Sequence, residues 1–222
     1  MKFDARVLGI PTHLDIARAR LPRAKAAHEL AKFEAAHSAL MERLFDMRLQ
    51  VAAFFKRPGE CISHFVCERF GFLQPLQEFA CFLGGTTVAE VVRENAYTDY
   101  LHIVMMGQAD ALVVPFDLSV PLRVTVPGRR HPYLVCSSPR VAQEIEMMDE
   151  YVAIQHTIGI KQFDAFVSLS NAAMESFEKR QGVGRRFWAK WGVAALRGLV
   201  SRALKHDLPV IIDPHHGDLS VQ

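Results

Sequence analysis

Residues 110–140 read DALVVPFDLSVPLRVTVPGRRHPYLVCSSPR. Three short runs inside this stretch, 110–118, 120–126 and 131–137, are rich in β-branched residues and punctuated by proline, and PGRR at 127–130 supplies a turn between the last two. Leu122, Val124 and Val126 alternate with Arg123 and Thr125, which gives that run one wet face. The pattern predicts a three-stranded antiparallel meander. Directly after it, Ser138 is placed as an N-cap with Pro139 at the first helical position, and Val141, Ile145, Met148 and Val152 form the apolar stripe of a helix. Glu144, Glu146, Asp149 and Glu150 lie elsewhere on that helix.

Downstream, helical patterns occupy about 162–180 and 185–205, and LPVIID at 208–213 is a continuous apolar run of the kind a buried strand needs. A strand reached through helices usually joins its sheet by a right-handed crossover, parallel to a neighbour. Set beside residues 133–137 in that sense, the final run brings Asp213, His215 and His216 to Ser137, Ser138 and the opening of the helix at Pro139. The mouth of parallel strands is where open sheets collect ligands.

Upstream, Leu30, Phe33, His37, Leu40, Leu44, Met47, Val51 and Phe54 recur at alternating steps of three and four, one stripe of a helix. Pro22 suits its first turn and RPGE at 57–60 its end, so a helix of roughly 35 residues over 22–56 is predicted. Thr12 and Asp15 resemble a capping pair for a turn just before it. The apolar segment 61–85, interrupted by Gly71 and Pro75, predicts two short buried helices, and Thr87 with Glu90 forms a capping box. The expected architecture is α+β: predominantly helical, with a small mixed sheet of three to four strands and a long N-terminal helix. One domain spans residues 1–222, with a helical half (1–107) meeting a sheet-bearing half (108–222) near Gly107.

Half of the 222 residues are hydrophobic and 23% are charged, which excludes disordered and fibrous classes. No run of apolar residues is long enough for a transmembrane helix, the first twenty residues lack a signal-peptide core, and four cysteines are too few for a disulfide framework. A cytoplasmic protein, of bacterial type, is the expectation. The net charge of +2 hides a layout of +4 over residues 1–60, −5 over 61–160 and +3 over 161–222. That asymmetry is too weak to imply a specific nucleic-acid partner.

Chemistry has several candidate places. In PVIIDPHHGD, His215 or His216 is a base or metal ligand oriented by Asp213, or else Asp213 caps the Pro214 turn and both histidines are solvated. Cys61, His64 and Cys67 are ligand types at steps of three, but on a helix such steps diverge, and the neighbouring Ile62, Phe65 and Val66 favour core thiols over zinc. The 185–205 segment carries Arg186, Lys190 and Arg197 on one arc and Trp188, Ala195, Leu199 and Ala203 on another, as a helix docked on a core by its apolar side does. Cys136 lacks a histidine at any defined spacing. No phosphate loop, zinc-protease or nucleophile-elbow motif occurs.

The sequence therefore points to a non-catalytic protein–protein binding module, a neutralising (immunity-type) protein or regulatory adaptor, with no cofactor and no metal. Its expected binding residues are Ser137, Ser138, Glu144, Glu146 and Glu150, its partner another protein, and the 22–56 helix a seam that also suits a homodimer. The alternative is a hydrolase acting at the carboxyl edge of the sheet through Asp213, His215 and His216.

Overall fold

The computed structural model describes residues 3–9, 23–49, 62–67, 73–107, 111–127, 132–152 and 185–213. Its elements are β1 (Phe3–Val7), α1 (Arg23–Asp46), β2 (Ser63–Cys67), α2 (Gln74–Leu83), α3 (Val88–Glu94), α4 (Leu101–Met106), β3 (Ala111–Val114), β4 (Leu122–Val124), β5 (Tyr133–Ser137), α5 (Ser138–Val152), α6 (Arg185–His206) and β6 (Val210–Asp213). The class is α+β. The sheet is larger than the three to four strands expected: six strands run in the order β2-β1-β6-β3-β5-β4.

Two of the extra strands come from the amino-terminal half. Ser63–Cys67, expected as helix, pairs antiparallel with β1 from Phe3↔Cys67 to Val7↔Ser63. A five-residue apolar run is too short for its periodicity to separate strand from helix, and here a partner some sixty residues away decides. The second half of that segment is helical as expected, with Pro75 in the first turn of α2, where no N–H is required.

The expected meander is replaced by a different path. β3 pairs in parallel with β5, from Ala111↔Leu134 to Val114↔Ser137, and β4 pairs antiparallel with the far side of β5. The chain between β3 and β4 therefore crosses the carboxyl end of β5, anchored midway by the buried Leu118. Strand character explains the order: β3 is buried along its whole length, whereas the three-residue β4, with Arg123 exposed, suits an edge.

The last apolar run also lands elsewhere than expected. β6 lies between β1 and β3 and is antiparallel to both, with Asp4↔Asp213 on one side and Ala111↔Ile212 on the other. It is neither adjacent nor parallel to β5. A strand that can hydrogen-bond on both edges and bury both faces fits an interior position, which Val210, Ile211 and Ile212, all buried, satisfy.

Alternation assigns the two faces. Ala5, Val7, Ala111, Val113, Leu134, Cys136, Val210 and Ile212 join α2 to α6 in one core. Leu112, Val114, Tyr133, Val135 and Ile211 meet Ala36, Leu40, Met41 and Leu44 of α1 in another. The proposed dimer-seam residues His37, Leu40 and Leu44 are thus buried against the chain's own sheet, and the His37 ring meets Tyr133 edge-on at 5.8 Å.

α1 is 24 residues long and not roughly 35. The Leu49 N–H bonds to the Leu44 carbonyl (3.1 Å) and the Arg48 N–H to that of Phe45 (2.8 Å), with Arg48 at φ 59°: a Schellman stop built without glycine. Past it Met47 is exposed, and Val51 and Phe54 lie outside the described residues. α3 opens with the expected capping box, Thr87 Oγ1 accepting from the Glu90 N–H and Glu90 Oε2 from the Thr87 N–H. α6 buries Ala189, Val193, Leu196, Leu199, Val200 and Ala203 and turns Arg197 to solvent. Gly192 lets it approach α2, since a Cβ there would stand 3.2 Å from Leu76. No helix among the described residues is long and apolar enough to cross a membrane.

Candidate functional site

Four elements converge where β5 passes into α5. The chain leaves the sheet at Ser137, and the Ser137 hydroxyl, not that of Ser138, caps the new helix: its Oγ accepts from the Arg140 N–H at 3.3 Å and donates to the Phe116 carbonyl at 3.0 Å. One serine thus starts the helix and ties down the crossover from β3. Two residues into α5 the Arg140 guanidinium holds that crossover a second time, with Nε and Nη2 donating to Asp117 Oδ1 (2.6 Å) and Oδ2 (2.9 Å). This fork is partly exposed, and it holds the Asp117 carboxyl below its ordinary range while raising Arg140.

Beneath the crossover lies a histidine. His102, on the first turn of α4, is 2% exposed, and its Nδ1 accepts the Ser137 amide N–H at 3.1 Å. An accepting Nδ1 assigns the ring proton to Nε2. Burial pushes His102 down to about 4, while the carbonyls of Leu118 and Ser119 act in the opposite sense, so the ring is neutral near pH 7. Arg140 and Asp117 also act on it, which places its free side under the crossover. His102 Nε2 is nevertheless buried without a hydrogen-bond partner.

α5 fixes α4 in return. Glu144, 5% exposed, accepts the amides of His102 (2.9 Å, Oε1) and Ile103 (2.7 Å, Oε2), capping α4 from another helix. Burial pushes Glu144 up to about 8 against those two amides and Arg140, which pull it down. Ser138 Oγ, fully buried, is the second side-chain atom at this strand end that has no partner. The two thiols among the described residues, Cys81 and Cys136, offer no nucleophile: burial raises Cys81 to about 11 and Cys136 further, and Cys136 Sγ only reaches the His102 carbonyl, at 3.7 Å.

Of the residues expected to bind, Ser137, Ser138 and Glu144 are brought together here. Glu144 is buried and structural, so it forms no acidic surface with Glu146, which is exposed; the side chain of Glu150 lies outside the described residues. Asp213 is not part of the assembly. The pairings set Ile212 level with Leu134, so Asp213 falls four residues short of Ser137, roughly 13 Å along the strands and at the opposite edge of the sheet. His215 and His216 lie outside the described residues, as do Cys61 and the side chains of His64 and Cys67. Among the described residues no group of three or more His, Cys, Asp or Glu is arranged to hold a metal.

Sequence reading missed His102, Asp117 and Arg140. Asp117 and Arg140 flank the strand runs but are 23 residues apart, and only the crossover joins them. His102 sits in LHIVMM, where nothing local separates it from a core residue. Comparison with known proteins adds nothing further: no family model, no curated protein and no solved structure matches this chain.

Proposed function

We propose that the chain is a non-catalytic binding module whose recognition site is the carboxyl end of β5, acting on another protein as a neutralising or adaptor protein does. One observation carries the reading. The only free nitrogen of the buried histidine is a proton donor, because Nδ1 already accepts the Ser137 amide. A histidine held in that tautomer, and kept neutral by burial, presents a hydrogen bond to a ligand but takes no proton from Ser138 or from a water. The other ionisable groups of the cluster are engaged: Glu144 caps α4 and Asp117 pairs with Arg140. Donors without a base make a site that holds an acceptor.

The test has two arms. Incubation with chromogenic esters and phosphate esters is expected to give no turnover that depends on His102 or Ser138; turnover lost in S138A would overturn the reading. Affinity capture followed by reconstitution from purified components is expected to return one stoichiometric partner that H102F releases. The hydrolase built on Asp213, His215 and His216 gains no support from Ser138, which stands at the other edge of the sheet.

A further inference from the structure

Three features meet at one end of β5 and together select the chemistry of a ligand. His102 Nε2 and Ser138 Oγ are both buried, both able to donate, and both without a partner among the described residues. Leaving such groups unsatisfied is costly, and native proteins seldom do so without a water, an ion or a ligand to complete them. The fifteen-residue α5 begins here and directs the positive end of its dipole to the same place. Arg140, in its first turn, already grips a carboxylate in a two-pronged fork, that of Asp117.

We infer that this end of β5 is a carboxylate-binding site, in which a ligand carboxylate takes the hydrogen bonds of His102 Nε2–H and Ser138 Oγ–H and displaces Asp117 from Arg140. The inference rests on the binding reading above and names the class of group bound. The side-chain groups left to bind are donors or a cation, so the ligand must supply acceptors placed clear of the Leu118 and Ser119 carbonyls beside the His102 ring. The fork geometry favours a planar carboxylate over a neutral carbonyl, which offers Arg140 one oxygen and no charge. Asp117 acts as an internal competitor. Its bond to Arg140 closes the crossover beside the buried His102, at a position where Ser119 and Val120 are open to solvent. A bound carboxylate exchanges one charge-assisted pair for another and satisfies two further donors, which gives the exchange its direction.

The same carboxylate could arrive as a small acid or at the end of a partner's chain. The decisive experiment follows backbone amide NMR shifts of the whole chain during titration with sodium acetate, sodium succinate, and a short peptide carrying either a free or an amidated carboxyl terminus. The expected result is saturable shifts centred on Ser119, Ser137 and Arg140, tighter binding in D117N, and affinity lost by about tenfold or more in S138A and H102F. Stronger binding of the free-ended peptide than of acetate assigns the group to a protein partner, and equal binding assigns it to a small acid. D117N removes only an exposed carboxylate and keeps the fold, so absence of saturable binding by any carboxylate to D117N overturns the inference. In that case a partner recovered by reconstitution and released by H102F would leave the binding reading standing, whereas ester turnover dependent on Ser138 would remove both.

Discussion

The carboxyl ends of β5 and β6 invite comparison. Each closes an apolar run and passes into a polar stretch, SSPR in one case and DPHHGD in the other. The second is richer in residues that do chemistry, yet among the described residues the first is where polar groups converge. The reason is direction. β6 runs antiparallel to β3, and β3 runs parallel to β5, so the two ends face opposite edges of the sheet. The histidine that reaches Ser137 belongs to α4, thirty-five residues upstream, and arrives there because Glu144 holds the start of α4. What gathers at a strand end depends on which strands share its sense, and a polar tail by itself says little about that.

The sharpest way to break the comparison is to release α4. E144A strips the acceptor from two buried amides and is expected to cost about 3 kcal/mol in chemical denaturation while loosening the β5 end alone. Acidity gives a related test. Glu144 titrates near 8 when folded against 4.5 when free, so its contribution is complete below 4.5 and is lost as pH rises through 8. His102, near 4 when folded against 6.5 when free, contributes fully above 6.5 and loses this as pH falls through 4. Between 4.5 and 6.5 the two slopes oppose each other, and between 6.5 and 8 Glu144 acts alone. The denaturation midpoint should therefore decline across that upper window, and E144Q should flatten the decline at a lower overall stability. A flat wild-type profile would contradict the burial of this carboxyl.

Smaller effects separate neighbours. S137A removes both the cap of α5 and the tie to Phe116 and should cost about 1–2 kcal/mol, whereas S138A deletes an unpartnered hydroxyl and should gain about 1 kcal/mol. Equal effects at the two serines would erase the distinction between capping residue and orphan. Least of all, H215A/H216A is expected to change neither stability nor partner binding, measured beside H102F as the contrasting variant.

Legibility in the sequence followed locality. The Thr87–Glu90 box, the strand-to-helix passage at 133–141 and the buried middle of the α1 stripe rest on contacts a few residues apart, and each is visible in spacing alone. The capping serine is Ser137 and not the expected Ser138, because two serines stand together and only the tie to Phe116 distinguishes them. The end of α1 was hidden because Arg48 takes a conformation for which glycine or asparagine is the usual sign, while Met47, Val51 and Phe54 continue the apolar rhythm. Strand order is beyond the reach of local pattern, since β2, β6 and β3 are defined by partners some sixty to just over two hundred residues away. The candidate site shares that difficulty: its serines were found, while His102, Asp117 and Arg140 join them only through the crossover and the α4–α5 contact.

The interior place of β6 has a consequence for how the chain assembles. β1 and β2 can zip together early, and β3 can meet β5 and β4 once residue 137 exists, but only residues 210–213 bridge these two half-sheets. Until that segment arrives, one edge of β1 and one edge of β3 are open templates for another chain. Maturation should thus be slow for its size and governed by a late insertion, with any intermediate lacking residues 210–213 prone to sticking to its own copies.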